Sequence, residues 1–157
     1  MGAYTSTNWV RTVGDPDAGA AADAISVNGT MFVTGETAAD PAIVVDGSFT
    51  IGTLEIPLFL YVWGKYAGGG GHFIDVFALD SVSGLYENVG VMPISTVVSR
   101  YGFGLSPNHV TGSVVTIQFK HTAGVGIVAH ALHLDKVQVD TSVPGIRGSR
   151  PSSAHIR

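Results

Sequence analysis

From residue 25 onward, apolar and polar positions alternate in short runs parted by turn residues, the period of two that a half-buried strand imposes. Ile25 to Thr34 starts with alternation, breaks at Asn28-Gly29 and resumes. Ile43 to Ile51 reads as a compact hairpin turning at Asp46-Gly47, a pair suited to a type I′ turn. Leu54 to Trp63 is apolar almost throughout, so the pattern predicts a strand buried on both faces. Pro57 cannot donate to a ladder and must lie at an edge, a bulge or the strand's start. In the next strand Phe73, Asp75, Phe77 and Leu79 alternate with Ile74, Val76 and Ala78. Leu85 to Met92, Ile94 to Phe103, Gly112 to His121 and Gly126 to Val139 follow, with turns at Ser83-Gly84, at 106–109 and at 122–125. About eight strands with little room for helix predict an all-β, two-sheet β-sandwich. An eight-stranded jelly roll is the preferred topology and an open barrel the alternative. No fixed period repeats, which argues against a solenoid or propeller.

The ends break the pattern. Residues 1–23 read as irregular: Gly14-Asp-Pro-Asp is turn chemistry, and Ala20 to Ala24 is too short for a stable helix. Trp9 and Arg11 lie in this stretch, and a tryptophan in a free tail would expose a large apolar surface to no purpose. An arm ordered by a partner is therefore expected. Residues 24–140 form the sandwich domain. From 141 to 157, two prolines, two glycines, four serines and three arginines can make no packed core, so an extended basic arm is expected.

Composition sharpens this picture. Of 157 residues only 13% are charged, about half the usual share, while glycine numbers 21. Residues 1–140 hold five Lys/Arg (Arg11, Lys65, Arg100, Lys120, Lys136) and all twelve Asp/Glu, a net of −7; Arg147, Arg150 and Arg157 make the tail +3. An acidic body argues against nucleic acid as a partner, which needs a dense basic face. No cysteine is present, which excludes disulfides, thiolate zinc and cysteine nucleophiles. The longest apolar run, Ile56 to Trp63, is too short to cross a bilayer, so no membrane partner is expected. The first residues lack the basic-then-apolar order of a signal peptide, so any export is expected by another route.

Catalytic and metal chemistry find little support. His130 and His133, three apart on a strand, point to opposite faces; His133 and Asp135 share one but are too few for a closed site. No Gly-x-Ser-x-Gly elbow occurs, and no carboxylate pair is marked out among Asp75, Asp80, Glu87 and Asp135. Gly68 to Gly71 lacks the Lys-Ser/Thr of a phosphate loop. The expectation is a protein with no cofactor and no enzymatic activity. Around that glycine run stand Trp63, Tyr66 and His72, with Tyr61 and Lys65, rings able to stack on sugar faces or anchor an interface. Tyr61 and Trp63, two apart, also fit a core; core packing is the favoured reading for Trp63, less so for Tyr66.

The segment Ala131 to Val139 resembles the last strand of carbohydrate-binding jelly rolls and galactose-binding-like sandwiches. That likeness implies a structural calcium on Asp135, although no matching acid is identifiable near the domain's start. In style the whole chain resembles jelly-roll structural proteins of tailed bacteriophages: head decoration (cement) proteins and fibre or tail adaptor subunits. This resemblance implies a non-enzymatic virion protein, made in the host cytoplasm, that forms a homo-oligomer, preferably a homotrimer. Such a subunit would grip the major capsid or another virion protein through Trp9, Arg11, Arg147, Arg150 and Arg157. The alternative is a carbohydrate-binding module or receptor-binding fibre domain that recognises a glycan through Trp63, Tyr66 and His72. A third reading makes the domain a fragment and its tail a linker.

Overall fold

The structure, a computed structural model, describes residues 1–37, 41–68, 72–121 and 130–145. The turn expected at 122–125, glycines 69–71 and the tail arginines Arg147, Arg150 and Arg157 lie outside the described residues.

Strands that alternate need two layers to bury their apolar halves. Eleven strands supply them among the described residues: β1 (Ala3–Thr5), β2 (Val10–Val13), β3 (Asp15–Ala18), β4 (Phe32–Gly35), β5 (Ile43–Thr50), β6 (Ile56–Ala67), β7 (Phe73–Leu79), β8 (Tyr86–Pro93), β9 (Ser99–Gly104), β10 (Val114–His121) and β11 (Ala131–Ser142). One 3-10 turn spans Ala21–Ala24. Sheet A runs β3-β4-β11-β6-β9, with β1 also paired to β11; sheet B runs β2-β5-β10-β7-β8. Taken alone, β4 to β11 order as β4-β11-β6-β9 against β5-β10-β7-β8, the two interleaved Greek keys of a jelly roll. The core between the sheets is built from Phe32, Ile43, Phe49, Leu60, Val62, Ile74, Ile117, Phe119, Leu132 and Val139 among others, all buried. No helix among the described residues is long and apolar enough to cross a membrane.

Several expectations change. Residues 1–23 are no free arm: β1 pairs with β11, β2 with β5 and β3 with β4. Trp9 is 5% exposed, edge-on to Phe49 and tilted against Phe119, with both centroids at 5.7 Å. Its surface is spent inside the fold and is closed to a partner. Gly47 explains how. The continuous β5 contains no hairpin at Asp46-Gly47; a Cβ at Gly47 would fall 2.3 Å from the Trp9 ring. The glycine lets an indole lie on the strand, a use that sequence cannot tell from a turn. Arg11 is likewise consumed: its guanidinium lies 3.8 Å over the Phe32 ring and its Nη2 donates to the carbonyls of Ala18, Gly19 and Val33. At the other end β11 carries pairing through Ser142, so the domain runs past the expected boundary at 140.

β6 also differs from expectation. It is not buried on both faces: Leu60, Val62 and Tyr66 face the core, while Phe59, Tyr61, Trp63 and Lys65 face outward. Pro57 pairs with Thr141 beside a register shift near the strand's start, where its missing N–H costs least.

A candidate ligand platform on the outer face of sheet A

The period of two that buries Leu60 and Val62 forces Phe59, Tyr61 and Trp63 onto the opposite side of β6. Their rings form a row. Phe59 and Tyr61 lie 5.8 Å apart between centroids with planes 24° apart; Tyr61 and Trp63 lie 6.2 Å apart at 52°. Phe59 is 46% exposed, and Tyr61 and Trp63 are partly so.

The flanking strands leave the row uncovered. On β9, Gly104 stands opposite Phe59, Gly102 opposite Tyr61 and Arg100 opposite Trp63. A Cβ at Gly102 would come within 3.1 Å of the Tyr61 ring, while one at Gly104 would meet nothing within 4 Å. On β11, Asp140, Gln138 and Lys136 stand opposite the same three rings. Arg100 lies 4.9 Å from the Tyr61 centroid and Lys136 Nζ 4.9 Å from that of Trp63. The result is an open apolar strip rimmed by hydrogen-bonding groups. Rings of this kind offer π-faces to C–H surfaces, and the rim can bind hydroxyls or charges.

Trp63 is thus a surface residue, against the favoured reading of it as core. Tyr66 and His72 move the other way. Tyr66 is fully buried, and burial followed by the Glu36 charge pushes its phenol far above the ordinary value. Its hydroxyl lies 3.1 Å from His130 Nδ1. His72 Nδ1 lies 3.1 Å from His121 Nε2, and the Glu36 carboxylate sits between His121 Nδ1 at 3.0 Å and His130 Nδ1 at 2.8 Å. These Glu36 contacts are at ion-pair distance yet out of line for hydrogen bonds, since both its oxygens and His121 Nδ1 lack one. Burial holds the His121 imidazole below its usual pKa, against the upward pull of Glu36. This polar cluster ties the ends of β6, β10 and β11 together at one end of the sandwich, past Trp63. Glu36 and His121 carry no sequence signal beyond their type. The row on β6 had one, an aromatic at every second position from 59 to 63.

Two further groups are structural. The register between β11 and β6 shifts from Leu134 to Lys136, so Asp135 is the extra residue of a bulge. It therefore turns inward beside Leu134 and does not share a face with His133, as strict alternation would have it. Its Oδ1 accepts the amides of Asn28 and Gly29 at 3.2 and 3.1 Å, fixing the loop before β4. Asp80, Glu87 and His109 bring one ligand-type atom each within 4.8 Å of one another. However, the Ser106 amide donates to His109 Nδ1, so a neutral ring carries its proton on Nε2, which lies 2.7 Å from Glu87 Oε2. A metal at Nε2 would have to displace that proton. The trio reads as a loop tie.

No protein-family model matches the chain, and no curated protein matches it. Solved structures do. A variant of CBM29-2, a family 29 carbohydrate-binding module, is 11% identical with a TM-score of 0.54, covering 84% of this chain and 91% of that one. A second CBM29-2 variant gives 10% and 0.52 over 85% and 91%. A charge-reversed variant of a family 29 module gives 10% and 0.54 over 88% and 92%. At such identity the likeness establishes the fold. It also corrects an expectation: these matching structures are carbohydrate-binding modules, and none of them is a virion, capsid-decoration or homotrimeric phage protein. The chain is an all-β, two-sheet jelly-roll sandwich of the kind those modules adopt.

Proposed function

We propose that the protein is a non-catalytic carbohydrate-binding module whose site is the outer face of β6, β9 and β11. One observation carries this reading: Phe59, Tyr61 and Trp63 form a solvent-facing row of rings, kept open by Gly102 and Gly104 and rimmed by Arg100, Lys136, Gln138 and Asp140. Solvent-facing rings on one strand add nothing to the core, and they match the apolar faces of successive sugars in an extended chain. The fold shared with carbohydrate-binding modules supports the same reading. Hydrolysis of a glycoside calls for two carboxylates across a cleft. The register neighbours of the three rings supply one, Asp140, and Gln138 Nε2 already donates to it at 2.6 Å.

A glycan array followed by calorimetry tests this. The wild type should bind a linear polysaccharide, and Trp63→Ala should weaken binding about 30-fold or more while leaving the unfolding midpoint within a few degrees. Absence of any glycan hit, or an unchanged affinity in Trp63→Ala, would overturn the proposal.

A further inference from the structure

The platform has an electrostatic signature that neutral sugars do not require. Residues 1–140 contain five Lys and Arg against twelve Asp and Glu. Three of those five, Lys65, Arg100 and Lys136, stand along the Tyr61–Trp63 half of the row: Lys65 follows Trp63 on the same face of β6, Arg100 pairs with Trp63 from β9 and reaches over the Tyr61 ring, and Lys136 pairs with Trp63 from β11 and lies over its indole. Among the described residues none of the three has a carboxylate at ion-pair distance, every such pair there being made by a histidine. Lys65 Nζ reaches only the Thr96 carbonyl, at 3.5 Å.

Contact with the rings does not explain this arrangement. A cation 4.9 Å from an exposed ring gains a modest attraction but keeps its full charge. Three like charges along two neighbouring rings repel one another, and a protein with twelve acids could have paired them. Among the described residues the nearest acid in sequence, Asp135 beside Lys136, faces inward from its bulge, and no carboxylate joins the three cations. Asp46, Asp75 and Glu87 belong to strands of sheet B, and Asp140 stands at the Phe59 end of the row. The platform is therefore polarised, basic around Trp63 and acidic beside Phe59.

Building on the carbohydrate reading, we infer that the ligand is an acidic glycan, with the carboxylate of a uronic acid residue held at the Trp63 end. The planar fork of Arg100 suits a carboxylate, while Lys65 and Lys136 add point charges that need no fixed geometry. The sugar ring carrying the carboxylate would stack on the indole, and its neighbours would follow Tyr61 and Phe59 along β6.

The test uses matched pairs: mannuronate, guluronate and galacturonate hexamers, each beside the same hexamer with its carboxylates reduced to primary alcohols. Calorimetry on the full chain should show at least one acidic hexamer binding about 10-fold or more tighter than its reduced twin. That ratio should fall toward one in the Arg100→Gln, Lys136→Gln double variant, and in the wild type when NaCl rises from about 0.05 to 0.5 M. The salt arm needs no mutant, so a folding defect cannot hide the result. Equal or tighter binding of the reduced twins would overturn the inference while leaving the carbohydrate reading intact. So would a preference that survives both salt and the double variant. Failure of every oligomer to bind would overturn both.

Discussion

The two outer faces of the sandwich are made by the same alternation and end in opposite conditions. On sheet B several polar groups satisfy one another. Asp46 accepts from Thr12 Oγ1 at 2.6 Å, Gln118 Nε2 at 2.9 Å and Tyr86 Oη at 3.4 Å, and Asn88 Nδ2 donates to Asp75 at 2.9 Å. Its rings are broken up: Phe73 and Phe77 flank Asp75 on β7. On sheet A the rings are consecutive on one strand, the cations beside them have no carboxylate partner among the described residues, and glycines stand where side chains would cover the row. A self-satisfied face contributes to stability and offers a ligand little. A face with exposed rings and few internal pairs has more to offer a ligand, and the proposed site rests on that difference.

The sharpest way to break the contrast is to exchange the readouts. Trp63→Ala on sheet A should cost about 2 kcal/mol of glycan affinity and little stability. Asp46→Ala on sheet B should do the reverse: leaving three donors without their acceptor should cost about 1–2 kcal/mol of folding stability by urea titration, with glycan affinity unchanged. If Asp46→Ala weakens binding as much as Trp63→Ala, the faces are not functionally distinct and the site has been placed on the wrong sheet.

How far the sequence could anticipate this follows from which signals are local. Period-two alternation in Phe73 to Leu79 separated the two sets that the structure turns outward and inward, because each residue's face depends only on its parity. The same parity was available for Phe59, Tyr61 and Trp63. Their aromatic character argued for burial, since a ring facing water looks the same in sequence as a ring facing a core. Only the partner strands decide: the glycines of β9 arrive from forty residues away in the chain. Gly47 failed for a similar reason, its need being set by Trp9 at long range. Asp135 was misplaced because a one-residue bulge reverses parity, and nothing in Leu134-Asp-Lys announces it. The Glu36, His121 and His130 cluster joins residues ninety-four apart in sequence, beyond the reach of any spacing rule.

The β9 glycines give a smaller but sharper test. Glycine inside a strand normally costs about 0.5–1 kcal/mol relative to alanine, so an empty site on a solvated face is usually improved by a side chain. Nothing lies within 4 Å of a Cβ at Gly104. Gly104→Ala should therefore stabilise the fold by about 0.5 kcal/mol while lowering glycan affinity by shading Phe59. Gly102→Ala must push on Tyr61 at 3.1 Å, so it should gain less stability and lose more binding. A pair of substitutions in which stability and affinity rise together would show that the glycines are incidental.

The last test concerns the buried cluster at the end of the sandwich and carries the smallest effect, one ring's proton. His121 is almost fully buried, and desolvation, joined by the neighbouring His72 and His130, lowers its pKa from 6.5 despite the opposing Glu36 carboxylate. The unfolded chain takes up this proton near pH 6.5, whereas the folded ring resists it to lower pH. Between those two values the unfolded state binds more protons, so stability rises with pH across the window. Above about 6.5 the contribution is complete; as pH falls below it, the unfolding midpoint should decline, levelling once the folded ring protonates. Asp80, held below its ordinary value of 3.8 by the amides of Ser83 and Val82, acts in a separate, more acidic window and cannot mimic this. Thermal unfolding from pH 8 to 5 in the wild type and in His121→Gln should show the slope in the first and a flatter profile in the second, whatever the variant's absolute stability. Identical slopes would mean that the cluster accommodates the proton without cost. The Glu36 carboxylate would then be the dominant partner and burial the lesser effect.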